Sequence, residues 1–177
     1  QQYIYDKGWP SLTSIQNAAI KQVANTDHNL ILSAPTASGK TEAAFIPALN
    51  SVEDWDTGLK VLYISPLKAL INDQFQRISE LSEYLDIPIT RWHGEVSQAQ
   101  KRKVVNQPKG VLLITPESIE GMLVNRPGEA QHLFKGVEWI IIDELHSFLG
   151  TERGIHLQSL LQRISQFMQA PRFIAMS

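Results

Sequence analysis

Six short runs of this chain are apolar almost without interruption: residues 30–33, 61–65, 87–91, 111–115, 139–143 and 173–177. Val, Ile and Leu follow one another there with little of the apolar–polar alternation that a half-exposed strand displays. Such runs are strands covered on both faces, and strands of that kind belong to parallel sheets with helices above and below. Helical patterns lie between them. Leu67, Leu70, Ile71, Phe75, Ile78 and Leu81 recur at spacings of three and four, and Leu157, Leu160, Leu161, Ile164 and Phe167 repeat the pattern; this is one apolar helix face. Alternating strand and helix predicts an α/β fold with right-handed crossovers, its parallel sheet flanked by helices on both faces. Residues 53–58 and 125–129 read as turns between elements, not as linkers, so residues 1–177 are expected to form a single domain.

Composition then removes whole classes. A hydrophobic share of 43% against 19% charged excludes wholesale disorder;. There is no cysteine, so a disulfide framework, a thiolate metal site and a cysteine nucleophile are all excluded. No apolar run is long enough to cross a bilayer, and the opening QQYIYDKGWP lacks a signal peptide's layout;. An intracellular protein without a membrane partner is expected. The net charge of −2 supplies no general attraction to polyanions;, so any such binding must come from local groups.

Chemistry concentrates directly after the first apolar run, where LILS leads into APTASGKTE over residues 34–42. The phosphate-cradling pattern is G-x-x-x-x-G-K-[ST]; Ala34 replaces its first glycine, while Gly39, Lys40 and Thr41 match;. Gly39 lets the backbone bend round an anion, and the N–H groups of Thr36, Ala37, Ser38 and their successors at the helix start would point inward at it. Lys40 is the cation for the β and γ phosphates, and the Thr41 hydroxyl is a Mg²⁺ ligand. The substitution at Ala34 matters little if that position needs no positive φ. A metal there needs a carboxylate at a neighbouring strand end, which Asp143 supplies at the close of Trp139-Ile-Ile-Ile;. Asp143 would hold the ion directly or through water, and Glu144 would polarise the attacking water. An acidic pair capping the next helix is the alternative explanation of Asp143 and Glu144.

Taken together, A-P-T-A-S-G-K-T and D-E-L-H (Asp143 to His146) resemble the nucleic-acid-dependent ATPases of helicase superfamily 2, of the DEAD/DEAH type. Further matches follow in family order: GWPSLTSIQ at residues 8–16, SPLKALINDQ at 65–74, TPES at 115–118 and the closing AMS. With DELHSFLGTERGIHLQSLL they are most similar to the Lhr-like (large helicase-related) branch, near the Ski2-like enzymes. The resemblance implies a RecA-like P-loop NTPase domain that binds ATP and Mg²⁺, and a single-stranded DNA or RNA partner. It also implies a second RecA-like domain carrying an arginine finger, so that this chain would be a fragment of a longer motor and hydrolyse ATP very slowly by itself.

By that resemblance Gln16 reads adenine, an amide being able to pair with donor and acceptor edges at once; otherwise it is an exposed helix glutamine. Pro66 and Lys68 lie where a strand gives way to a helix, offering free N–H groups and a cation to phosphate, and Thr115, Pro116, Glu117 and Ser118 repeat that arrangement one crossover later;. Proline-started, hydroxyl-capped helices explain both segments without a ligand. Trp92, His93 and Gly94 precede Lys101, Arg102, Lys103 and Lys109, and two readings stand open: an aromatic and cations tracking a strand, with Gly94 among the contacts, or core plus a solvated helix face. His146 is expected to link the nucleotide site to the strand ending at Ser177, and Met122, Met168 and Met176 to lie in the core. Two alternatives are a P-loop NTPase without a nucleic-acid role and a degenerate motor domain kept for binding.

Overall fold

The computed structural model of the chain describes Gly8 and residues 11–35 and 38–177. Trp9, Thr36 and Ala37 therefore lie outside the described residues. In chain order the elements are α1 (Ser14–Asn25), β1 (Leu30–Leu32), α2 (Lys40–Ser51), β2 (Gly58–Ile64), α3 (Lys68–Glu83), β3 (Ile89–Trp92), α4 (Gln98–Asn106) and β4 (Lys109–Ile114). They continue with α5 (Pro116–Asn125), α6 (Pro127–Phe134), β5 (Trp139–Ile142), a 3₁₀ turn (Leu145–Ser147), α7 (Glu152–Ser165) and β6 (Arg172–Met176). The six strands form one all-parallel sheet in the order β1-β6-β5-β2-β4-β3.

Period-two burial splits the core into two layers, one on each face of the sheet. Val61, Tyr63, Trp139, Ile141, Ile174 and Met176 face α1, α2 and α3, meeting Ala19, Phe45, Leu49, Ile71 and Ile78. Leu62, Ile64, Ile140, Ile142, Leu112 and Ile114 face the other way, onto Val104, Ile119, Leu133, Phe134, Leu157, Leu160 and Ile164. Because both faces of the inner strands are covered, they need no polar alternation and read as continuous apolar runs, while the edge strands β1 and β3 keep exposed positions at Ile31 and Arg91;. The three methionines Met122, Met168 and Met176 are buried in these layers, as expected.

Differences from the expected pattern have local causes. Leu67 does not belong to the apolar face of α3; it is the extended N-cap residue and 55% exposed. Strand β3 starts at Ile89 because Ile87 is held by a turn bond to Ser82 and Pro88 has no N–H for the ladder;. Residues 127–129, expected in a turn, open α6, with proline at its first position where a missing donor costs nothing;.

The register aligns the carboxyl ends of all strands. Ile64 sits opposite Ile114 and Ile142, Trp92 opposite Ile114, Ile142 opposite Ala175 and Leu32 opposite Met176. Ladder bonds run one residue further: Ser65 N–H donates to Ile114 O at 3.1 Å, Asp143 N–H to Ile64 O at 2.9 Å and Ser177 N–H to Leu32 O at 2.9 Å. The polar segments singled out in the sequence thus emerge along one edge.

At the opposite edge β4 passes close to the turn before β3. Gly110 has φ +73°, and a Cβ placed there would lie 2.0 Å from Pro88 O, which accepts Val111 N–H. Gly110→Ala is expected to cost about 3 kcal/mol, lowering Tm by about 6–12 °C in a chain of this size. Thermal unfolding followed by circular dichroism measures it; an unchanged Tm would contradict the close approach.

Candidate active site

Two helices that start at the carboxyl edge, α2 and α3, lack a side-chain cap, whereas α4, α5 and α7 are capped by Ser97, Thr115 and Thr151. Each uncapped start leaves backbone N–H groups available to an anion. At α2 the N-cap is Gly39 in the left-handed region, φ +80°. Ala34 is not among the described residues with positive φ, so its replacement of glycine carries no backbone strain. Lys40 curls its amine back onto the carbonyls of Ala34 and, at 2.9 Å, Pro35. Ser38 Oγ is buried with no hydrogen-bond partner among the described residues, a hydroxyl available to a ligand. Thr41 follows in the first turn of α2, half-buried.

Gln16 is not an exposed helix glutamine. It is 1% exposed and closes a capping box with Thr13, whose N–H it accepts at 3.0 Å. Its Nε2 donates to Gly39 O at 3.5 Å, and a Cβ on Gly39 would lie 2.6 Å from that nitrogen. One residue therefore orders the start of α1 and braces the phosphate loop.

Asp143 leaves β5 buried. Its Oδ1 accepts Glu144 N–H at 3.0 Å, and its Oδ2 accepts the Tyr63 hydroxyl. Burial pushes the Asp143 carboxyl above the usual range and the charge of Glu144 adds to this, while the Tyr63 hydrogen bond and the positive charge of Lys40 oppose it. Burial, then the Asp143 charge, holds the Tyr63 phenol well above its ordinary value, so it remains a donor. Glu144 occupies the left-handed region at φ 49°, a strain of about 1–2 kcal/mol for a residue with a Cβ. Its carboxylate lies 3.1 Å from His146 Nε2, and His146 Nδ1 lies 3.4 Å from Ser177 Oγ. His146 thus bridges the segments after β5 and β6.

The other half of the edge carries α3, α5 and the turn after β3. Lys68 pairs with Glu95 in an exposed contact. Pro66 O and Glu117 Oε1 each accept Arg153 Nη2 at 2.8 Å, and the Arg153 guanidinium also stacks 5.6 Å from the Phe148 ring centroid. Thr115 caps α5 through Ser118 N–H and lies 3.0 Å from Ser118 Oγ, so their hydroxyls are mutually engaged. Gly94 is exposed, and His93 beside it is buried with Nε2 3.2 Å from Asn72 Oδ1. Burial, and next the charge of Arg91, lowers the His93 pKa. Trp92 is 6% exposed and packed in the core, with Lys101 5.7 Å above its ring. Sequence reasoning missed Arg153 and Tyr63. The first sat inside an amphipathic helix pattern and the second inside an apolar strand.

A fold with an uncapped, lysine-bearing helix start and a buried carboxylate two strands away is that of a RecA-like P-loop domain. The DEAD/DEAH box helicase family model matches residues 13–177, and the chain belongs to this family. Among its relatives, the ATP-dependent helicase Lhr-Core of Saccharolobus solfataricus is 31% identical, over 94% of this chain and 20% of its own length. The Lhr helicase/uracil glycosylase of Escherichia coli is 34% identical over 88% of the chain and 11% of its own length. The chain thus spans about a fifth or less of these relatives. Among solved structures, Mycobacterium smegmatis helicase Lhr bound to ssDNA and AMP-PNP superposes with a TM-score of 0.86 at 30% identity, covering 99% of this chain and 24% of that one. The DUF1998 helicase MrfA bound to DNA and AMPPNP gives 0.84 at 26% identity, covering 99% and 25%.

The raised pKa of Asp143 has a stability consequence. Between the ordinary carboxylate value and the raised one, the folded state keeps a proton that the unfolded chain has released, so stability falls as pH rises through that window. Asp143→Asn removes the buried charge. In nucleotide-free protein at pH 7 it is expected to raise stability by about 1 kcal/mol, or Tm by about 2–4 °C. Melting curves from pH 4 to 8 test this: the gain over wild type should shrink towards acid, and a loss at pH 7 would oppose it.

Proposed function

We propose that this chain is the ATP-binding motor domain of an ATP-dependent helicase or translocase that grips single-stranded DNA or RNA by its backbone. The observation that carries this reading is the pair of uncapped helix starts at one sheet edge, α2 beside Asp143 and α3 beside Pro66 and Lys68. The first is an anion site with the buried carboxylate of Asp143 opposite, whereas the acids at the second, Glu95 and Glu117, are exposed and paired with Lys68 and Arg153.

In this reading the N–H groups of Gly39, Lys40 and Thr41, with Thr36, Ala37 and Ser38 before them, hold the phosphates. The Lys40 amine leaves the Ala34 and Pro35 carbonyls for β- and γ-phosphate oxygens. Gln16 keeps its brace on Gly39 and still has one amide hydrogen and one oxygen lone pair for the edge of adenine. The donors available for Mg²⁺ are the Thr41 hydroxyl and the Asp143 carboxylate, and among the described residues no cluster of three acidic or histidine groups competes. Two hard oxygens suit an ion that keeps several waters and takes its other ligands from phosphate. When bound, the ion neutralises charge on the phosphates. Glu144 orients water for in-line attack, and His146 carries the state of Glu144 to Ser177. A second RecA-like domain supplies the arginine that faces the transferred phosphoryl group. Among the described residues no helix is long and apolar enough to cross a membrane.

Lys40→Ala is expected to weaken ATP-analogue binding by a factor of ten or more, while Glu144→Gln changes it less than about threefold, because the glutamate acts on water rather than on ground-state phosphate. Isothermal titration calorimetry of both variants decides this. Equal losses would make Glu144 a structural residue.

On the strand side, Lys68 must leave Glu95 to meet phosphate. Glu95→Gln should tighten binding of a fluorescent oligothymidylate or oligouridylate about two- to five-fold at low salt, the worth of one exposed ion pair. The gain should fade as salt rises through counterion competition. Anisotropy titrations at several salt concentrations test this, and unchanged affinity would place Lys68 outside the strand track.

A further inference from the structure

Tyr63 is a buried polar group that the proposed chemistry does not use. It lies on β2 facing the α1–α3 layer, 0% exposed, with its ring 5.6 Å from Phe45 at an interplanar angle of 35°. Phe45 lies on α2, five residues beyond Lys40. Nothing in the packing of that slot calls for a hydroxyl; phenylalanine has nearly the same shape and no polar atom to satisfy. The hydroxyl donates to Asp143 Oδ2, across 80 residues of chain, and the Ser65 hydroxyl lies beside it as a second, weaker polar neighbour.

The neighbouring backbone fixes this meeting. Asp143 N–H donates to Ile64 O at 2.9 Å, and Tyr63 pairs in register with Ile141, two residues before Asp143. Oδ1 is meanwhile held by Glu144 N–H at 3.0 Å. Each carboxylate oxygen therefore accepts one protein hydrogen bond, and rotation about the Cβ–Cγ bond would break both. We propose that Tyr63 is a positioning residue: its hydroxyl clamps the Asp143 carboxylate in one plane, so that the remaining lone pairs are presented to Mg²⁺ already oriented. This rests on the reading of Asp143 as the carboxylate that holds the ion. Because the Tyr63 ring also packs on the helix of the phosphate loop, the same residue ties the orientation of Asp143 to the seating of α2. Partners that fix a metal-ligating carboxylate are worth about 10- to 100-fold in metal affinity.

The test is a titration of the 177-residue chain with a fluorescent non-hydrolysable ATP analogue, in excess Mg²⁺ and in EDTA. In wild type Mg²⁺ should tighten binding. In Tyr63→Phe the affinity in EDTA should stay within about twofold, while the apparent Mg²⁺ affinity of the nucleotide complex falls about tenfold. In an Asp143→Asn background the Tyr63→Phe change should have no further effect on Mg²⁺ dependence. Unchanged Mg²⁺ affinity in Tyr63→Phe, or an equal loss in Mg²⁺ and EDTA, overturns the proposal and leaves the tyrosine a packing residue. If wild type and Asp143→Asn respond identically to Mg²⁺, the reading of Asp143 itself fails, and the role of Tyr63 with it. Thermal unfolding of each variant confirms that folded protein is being compared.

Discussion

Strands buried on both faces have nowhere to put a polar side chain except at their ends. Here that constraint is strongest in the inner strands β2, β4, β5 and β6, and because every strand is parallel every register brings the carboxyl ends level. Lys40, Lys68, Gly94, Thr115, Asp143 and Ser177 come from distant parts of the chain, yet each lies in the segment that follows a strand. The order β1-β6-β5-β2-β4-β3 then sorts them. In the proposed function the segments after β1, β6 and β5 form the phosphate half of the edge, and those after β2, β4 and β3 form the strand half. Asp143 N–H on Ile64 O is the bond at the boundary, joining the last residue of one half to the first strand of the other.

The phosphate half is organised against stability. It holds a buried carboxylate whose charge is disfavoured, a glutamate in the left-handed region, and a lysine resting on loop carbonyls. None of these would be chosen to hold a fold together. The surrounding layers tolerate them because β5, which carries Asp143, is buried along its whole length and fixed by ladders to β2 and β6. Strain and unfavourable burial concentrated at one point of a regular scaffold are what a binding site for charged ligands requires.

Much of this was legible in the residues. The six apolar runs predicted six parallel strands, with ends displaced by no more than three residues, because double burial leaves an unmistakable pattern. The phosphate loop and Asp143 were legible because spacing alone places them after strands. What escaped notice depended on contacts between remote segments. The burial of Gln16 and its bond to Gly39 arise from α1 lying on α2. For Trp92 the sequence left core and strand contact open, because its burial depends on α4 and α5 packing beside it. Leu67 fitted a helical spacing, but the helix starts one residue later and turns it outward. Tyr63 passed for an apolar strand residue because aromatic character hid the hydroxyl.

The grip of Arg153 bears on how the strand half behaves as a mechanical part. One guanidinium nitrogen holds Pro66 O, before α3, and the Glu117 carboxylate, at the start of α5, while the cation lies over Phe148. Gly154 presses so near Phe148 O that a Cβ would sit 2.0 Å from it, so the beginning of α7 cannot slide past the segment that follows Asp143. The two helix starts are thereby held at a set separation by a third element. A ligand lying across both would meet two helix starts whose spacing passes through one side chain, so that whatever moves Arg153 moves the span between them.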